Sequence, residues 1–435
     1  MIIGKGSVGV PDVCNSTRRG TLNEVIGEEQ AYNLCADAFS REALDGKRVL
    51  AIIPDSTRSG PMDMMFRVVY ALLAPRVKTL DFLIALGTHP PMSVEAIHHL
   101  VGISKETHVR TYQKARFFNH DSRNPGLLRC IGTIGEDETE EISGGLLRQR
   151  VDVTINRMIG DYDLLLVIGP TFPHESMGFS GGNKYFFPGI SGEEIVDTFH
   201  WMGALLTIPA TIGISDTPMR RLIDRAASFI PVERMCISLV VRDHDLLGMF
   251  IGPPEETFTA AADLSDKIHV VYKDHPFGRV LACAPLMYDE IWTAGKCMYK
   301  LESVVADGGE IIIYAPHVAR LSVVHGIAIE KIGFHVRDYY LKQWDRFKDV
   351  SGNIRAHSCN VRGIGTFENG IEKPRIKVVL ATQMSGEYCK KVNLDYLDPK
   401  SIRADDWKDR EDEGILYVPG AGEILYLLKD NPFRK

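Results

Sequence analysis

Short apolar runs rich in β-branched residues recur along the chain. Each is closed by Gly, Pro, Asp or His, and most are followed by apolar positions at helical spacing. That is the pattern of strands alternating with helices in a parallel α/β sheet. Residues 48–54 (RVLAIIP) predict a strand, and 62–73 (MDMMFRVVYALL) the helix after it. Residues 80–86 (LDFLIAL) predict the next strand, followed by a helix over 94–100 that Ser93 can cap. Residues 163–168 (DLLLVI) read as a strand apolar on both faces, as expected where helices cover both sides of a sheet. Further strand candidates are 238–241 and 268–272.

The polar stretch 273–278 (KDHPFG) suits an interdomain linker, and a second series follows it. Its predicted strands are 280–286, 310–314 and 377–381, with a helix over 291–305, a solvated connector at 405–413 and one more strand at 415–420. The expected fold class is α/β: two α/β domains with mainly parallel sheets and an active-site cleft between them. Residues 1–273 form the first domain, completed by 405–435, and 278–403 the second, which closes the cleft.

Composition narrows the function. A chain of 435 residues with 45% hydrophobic and 25% charged positions is an ordinary globular sequence. Its net charge of −7 argues against nucleic-acid binding by bulk charge. No apolar run approaches the ~20 residues that span a bilayer, so no membrane partner is expected. The opening Met-Ile-Ile-Gly-Lys-Gly-Ser lacks an apolar secretory core, which points to a cytoplasmic protein. Eight scattered cysteines without a C-x-x-C pair read as reduced thiols rather than a disulfide framework or zinc knuckle.

Ligands of open parallel sheets bind beyond the carboxyl ends of the strands, so polar residues there carry weight. Three strand ends stand out: Asp55-Ser56-Thr57-Arg58, Gly87-Thr88-His89-Pro90, and Gly169 to His174. Asp55 and Arg58 alone could be a helix cap with an exposed arginine, and either His89 or His174 alone a structural histidine. Two imidazoles at equivalent strand ends can instead flank a substrate as general acid and base. Gly178-Phe179-Ser180-Gly181-Gly182-Asn183-Lys184 is a glycine-rich loop ending in lysine. It departs from a P-loop in glycine spacing and in having Tyr185 where a magnesium-binding Ser/Thr is required. Lys184 can still bind a phosphate or attack a carbonyl-type carbon. A helix capped by Ser191 then carries His200.

The motif at 55–58, Gly87-Thr88-His89, the stretch 174–189 and His200, in this order, resemble the nickel-dependent lactate racemase family. The resemblance implies two α/β domains enclosing a nickel-pincer nucleotide, held mainly by the first. Lys184 would carry the cofactor covalently, and His200 would be the protein ligand to nickel, a role that suits imidazole. Inversion would proceed by a hydride shuttle: His89 or His174 takes the hydroxyl proton of a 2-hydroxy acid while its C2 hydride passes to the cofactor. Return of hydride to the other face inverts the centre. Arg58 would hold the substrate carboxylate or hydroxyl oxygen. Asp55, Ser56, Thr57, Gly181 and Gly182 would contact the cofactor. Lys296 would bind substrate carboxylate or cofactor phosphate, with Trp292 beside it. Proteins that synthesise the cofactor would be the loading partners, and a homo-oligomer is compatible with the reading.

Two departures bear on substrate. Thr293 stands where the lactate enzymes place a substrate-contacting glutamine, and Pro90 where they tend to have arginine. The shorter Thr293 leaves room, so a sugar acid or longer hydroxy acid is expected rather than lactate. Three alternatives stand beside this reading: a lactate racemase proper, a nickel or cofactor carrier without turnover, and a zinc hydrolase using His89, His174 and His200 with Glu175 as base.

Overall fold

The computed structural model describes residues 17–434. The expected absence of a leader at 1–7 and the thiol of Cys14 lie outside them.

A seven-stranded sheet has the spatial order Thr17–Gly20, Asp245–Gly252, Glu233–Arg242, Leu164–Pro170, Arg48–Ile53, Thr79–Ile84, Ala115–Asn119. The last five run parallel and the first two antiparallel. The alternation of each central strand feeds two cores. In Arg48–Ile53, Leu50 and Ile52 join one apolar cluster, while Val49, Ala51 and Ile53 join the other. Leu164–Pro170 divides likewise, with Leu165 and Val167 on one face and Leu164, Leu166 and Ile168 on the other. A strand covered on both faces needs apolar side chains at every position, which is what the sequence shows.

From Arg48–Ile53 the chain winds outward through 79–84 and 115–119, then returns to lay 164–170 on the other side. The carboxyl ends of 48–53 and 164–170 thus flank a topological switch point, where loops diverge and leave a crevice.

The second sheet is wholly parallel, in the order Asp395–Tyr396, Lys377–Thr382, Val305–Ala315, Phe277–Cys283, Ile415–Val418. One apolar cluster contains Val167 and Phe199 of the first unit together with Val280, Ile311 and Leu380 of the second, so the two sheets share a continuous core. No helix among the described residues is long and apolar enough to cross a membrane, and the described cysteines are all free.

Several boundaries differ from the sequence reading. The expected strand 268–272 begins at Val270, because Ile268 and His269 complete the helix Pro254–His269. The expected strand 280–286 starts earlier, at Phe277, so the linker shrinks to a short turn. The helix expected over 291–305 breaks into Ile291–Ala294, Lys296–Tyr299 and a 3-10 turn at Glu302–Val304. Val305 already opens the strand that pairs with Phe277. The segment 405–435 does not simply complete the first domain: Ile415–Val418 is an edge of the second sheet, while Leu425–Leu428 pairs with Val270–Lys273.

Candidate active site

One cleft lies between the two sheets, lined by Asp55, Arg58 and His89 from the first strand ends, His174, Gly181, Lys184 and His200 from the middle of the chain, and Trp292, Thr293 and Lys296 from the second unit. Thr57 faces an adjoining recess shared with Arg58, His174 and Lys296. Ser56 departs from the expectation, being exposed and lining none of the described cavities, because its position in the turn points it outward. Gly182 lies beneath the loop against Phe258 rather than on the cleft wall.

Asp55 accepts from Thr57 N at 3.1 Å and Thr57 Oγ1 at 2.7 Å through Oδ1, and pairs with His89 Nδ1 through Oδ2. Burial pushes the Asp55 carboxyl up, but the charge and hydrogen bond of His89, with Thr57 and Arg58, outweigh it and hold the group well below the usual carboxylate range. A carboxylate on Nδ1 makes that nitrogen the donor, so Nε2 is the ring nitrogen left without that partner.

His174 sits in an unlike setting. Burial, reinforced by Lys184, Arg58, His200 and Lys300, keeps its ring neutral far below the ordinary histidine range. Its Nδ1 meets Ser176 N–H at 3.4 Å and the Glu175 carboxylate at 3.5 Å, both long, so this imidazole is held less tightly than His89.

The glycine-rich loop is shaped by two requirements. Gly181 has φ +97°, and a Cβ there would lie 2.3 Å from Thr171 Oγ1, so only glycine fits. Arg220, from the helix Pro218–Ala227, supports the loop by donating to Gly181 O at 3.2 Å and Phe179 O at 2.6 Å. Asn183 turns away, held by Asp224 at 2.9 Å, Glu255 at 2.8 Å and Arg234 at 2.8 Å. Lys184 remains facing the cleft. Burial, then the neighbouring Arg58, brings its ammonium down to about 7. The same causes lower Lys296 to about 8, its Nζ being 3.5 Å from Thr57 O.

His200 lies on the helix Glu193–Leu206, whose N-cap is Gly192. Ser191, expected as the cap, instead turns its hydroxyl to Pro188 O at 3.3 Å. His200 Nδ1 donates to Val196 O at 2.6 Å, which orients the ring and leaves Nε2 unprotonated. Burial lowers its pKa. No group of three or more His, Cys, Asp or Glu side chains converges as a metal cage among the described residues. The zinc arrangement of His89, His174 and His200 is therefore not assembled.

Trp292 is sandwiched between His325 at 4.4 Å and His357 at 4.1 Å. His357 Nδ1 pairs with Tyr299 OH at 2.9 Å, and burial lowers this histidine to about 3. Thr293 Oγ1 donates to Glu290 O at 3.0 Å, so it lends the cleft shape more than a free donor. The sequence reading missed Asn353, His357 and Asn360, which line the cleft from the helix Gly352–Arg362. Polar residues at i, i+4 and i+7 of one helix share a face, and that spacing was the available signal. It also missed Lys300, buried beside the cleft with Nζ on Pro173 O and lowered to about 7 by burial.

Residues 15–211 match the lactate racemase N-terminal domain. The curated lactate racemase of Thermoanaerobacterium thermosaccharolyticum is 26% identical over 284 residues, covering 63% of this chain and 61% of that protein's length. A solved protein of Thermotoga maritima superposes with a TM-score of 0.85 at 35% identity, over 93% of this chain and 98% of the other. The lactate racemase apoprotein of Thermoanaerobacterium thermosaccharolyticum superposes with a TM-score of 0.70 at 20% identity, over 94% of each chain, which shows a shared fold. The chain thus carries a lactate racemase N-terminal domain over residues 15–211 and shares the fold of the lactate racemase apoprotein.

Proposed function

We propose that this protein is a racemase or epimerase that inverts C2 of a 2-hydroxy acid larger than lactate, a sugar acid or longer hydroxy acid, with a nickel-pincer nucleotide as cofactor. The observation that carries the reading is one cleft holding two histidines in unlike settings, His89 on a carboxylate and His174 buried and neutral, beside the basic side chains of Arg58, Lys184 and Lys296.

The residues suit that cofactor. At a pKa of about 7, much of Lys184 is a free amine at neutral pH, as covalent attachment through nitrogen requires. His200 presents an unprotonated Nε2, the form that binds a metal, with Nδ1 fixed by a carbonyl. Tyr185 OH, on the cleft wall against Gly169 of the strand Leu164–Pro170, and Thr171 Oγ1, behind Gly181, are buried without hydrogen-bond partners among the described residues. Such orphaned groups call for a polar ligand. Lys184 and His200 would hold the cofactor, with Tyr185 and Gly181 around it; when bound, it would supply the acceptor and donor of the C2 hydride.

The chain does the rest. Arg58 and Lys296 neutralise the substrate carboxylate from opposite units. His89 Nε2 takes the hydroxyl proton, and Asp55 stabilises the imidazolium that forms at Nδ1. His174 handles the proton when the opposite enantiomer is bound, its neutral ring suiting it to start as a base. Trp292 and Thr293 shape the wall behind C3.

The test uses protein co-expressed with the cofactor-synthesis proteins. Intact mass and nickel analysis should show an adduct that Lys184→Ala loses. Inversion of 2-hydroxy acids in deuterated water should proceed with the C2 hydrogen retained. Deuterium at C2 would mean proton abstraction from carbon and overturn the hydride route.

A further inference from the structure

Behind His89 the cleft continues into a second recess. It shares Gly87, Thr88, His89 and Asn353 with the main cavity and runs on to Arg123, Glu193, Asp197 and His325. These groups form one electrostatic unit. Glu193 is raised by burial and by Asp197, with Arg123 and Asp121 acting on it, and His325 is lowered to about 4 by burial, opposed by the Thr88 backbone, with smaller effects of Arg123, Asp197 and His89.

Part of its polar capacity is unused, although both ring nitrogens of His120 and the Ser122 hydroxyl are hydrogen-bonded. Asp197 accepts Ser351 Oγ at 2.5 Å and Asn353 N at 3.2 Å, both through Oδ1. The guanidinium of Arg123 approaches Asp121 only to 3.9 Å. His325 Nε2 is buried without a hydrogen-bond partner among the described residues, and its ring stacks on Trp292 of the main cavity. A buried nitrogen left in this state is costly unless a ligand completes it.

The recess thus offers donors and acceptors together, with three carboxylates, Asp121, Glu193 and Asp197, against one arginine. A second substrate carboxylate would be repelled by that excess, and an alkyl tail would strand the polar groups. Hydroxyls both donate and accept, so they fit both kinds of wall.

We infer that this recess is the subsite for the distal chain of the substrate, and that the substrate class is a 2-hydroxy acid with a polyhydroxylated tail, an aldonic acid, not a dicarboxylate or a 2-hydroxy fatty acid. The inference rests on the proposed C2 chemistry, and it commits to what lies beyond C3.

The experiment presents cofactor-loaded protein with lactate, 2-hydroxyhexanoate, malate and aldonic acids of four to six carbons, and follows C2 inversion by NMR. Aldonic acids should give the highest kcat/KM. In Arg123→Ala the ratio of kcat/KM for aldonic acid to that for lactate should fall ~10-fold or more, as expected for loss of a charge-assisted hydrogen bond. Saturation-transfer NMR of the same acids reads tail contact directly. Tail protons of the aldonic acid should be saturated in the wild type and much less in Arg123→Ala. Preference for malate or 2-hydroxyhexanoate, or a ratio indifferent to Arg123, overturns the inference while leaving the C2 chemistry standing. If adduct-bearing protein inverts none of these acids, the C2 reading fails, and the NMR contact still decides the subsite.

Discussion

Asp55 and His89 stand just beyond the carboxyl ends of two neighbouring parallel strands, Arg48–Ile53 and Thr79–Ile84, and share a hydrogen bond from Nδ1 to Oδ2. Parallel pairing in register places the two strand ends side by side, so residues 34 apart in sequence meet at the crevice. The pair fixes the orientation of the His89 ring, with Nδ1 on the carboxylate, and in the proposed reaction this leaves Nε2 as the base.

Asp55→Asn removes the charge that stabilises the imidazolium while keeping the side chain's size. In the loaded enzyme kcat should fall ~10²-fold or more with a smaller change in KM, since the carboxylate acts through His89. Steady-state kinetics and a thermal unfolding scan check this; an unchanged kcat would remove Asp55 from the mechanism.

The lowered Lys184 can be read without cofactor. An ammonium with a pKa of about 7 becomes a free amine between pH 6 and 8, whereas a surface lysine does so near its ordinary value of ~10.4. Labelling of Lys184 by a small amine-reactive reagent, followed by peptide mass spectrometry, should rise across pH 6–8 and level off, while surface lysines continue to gain to pH 10. A Lys184 profile that follows the surface lysines would show that the amine is not desolvated.

Gly181→Ala places a Cβ 2.3 Å from Thr171 Oγ1 on a backbone with φ +97°. The left-handed conformation alone costs about 1–3 kcal/mol. The melting temperature should drop by a few degrees, and Thr171→Ala in the same chain should restore only the part due to the clash. Full recovery in the double variant would assign the whole cost to crowding.

Acid should destabilise the fold through buried neutral histidines. His269, pairing with Val241 O at 2.6 Å and Ser265 Oγ at 2.8 Å, is lowered to about 4 by burial, and His120 likewise to about 4. In the unfolded chain each titrates near ~6.5, so below that pH the unfolded state binds more protons. Their contribution is complete above pH ~6.5 and declines as pH falls toward the folded values, by up to ~1.4 kcal/mol per pH unit per histidine. Denaturant unfolding at pH 7 and pH 5 should show the decline, and His269→Gln should make it shallower. An equal slope in the variant would show that His269 does not drive it.

The central strands were legible because each alternating position is buried by a different layer, which demands an unbroken apolar run such as RVLAII. The helix Met62–Leu73 and the Ser93 cap were read to the residue, since amphipathic spacing and a capping hydroxyl are local signals. The segment 291–305 was misread for the same reason: its residues suit a helix, but Lys296 has to face the cleft and Val305 has to pair with Phe277. Tertiary pairing overrode local preference there.

By itself the sequence determined the parallel α/β class, the strand ends that hold polar residues, and the ordered motifs that resemble those of the lactate racemase family. Those are properties of neighbouring residues, written in periodicity and spacing. Tertiary structure alone decided that Asp55 orients His89, that Lys184 and Lys296 share one desolvated cleft, and that a helix from the second unit brings Asn353, His357 and Asn360 to it. It also decided that Ser56 turns away and that a polar recess extends past His89. Burial and the approach of charges far apart in sequence depend on how two sheets pack, and no local pattern encodes that packing.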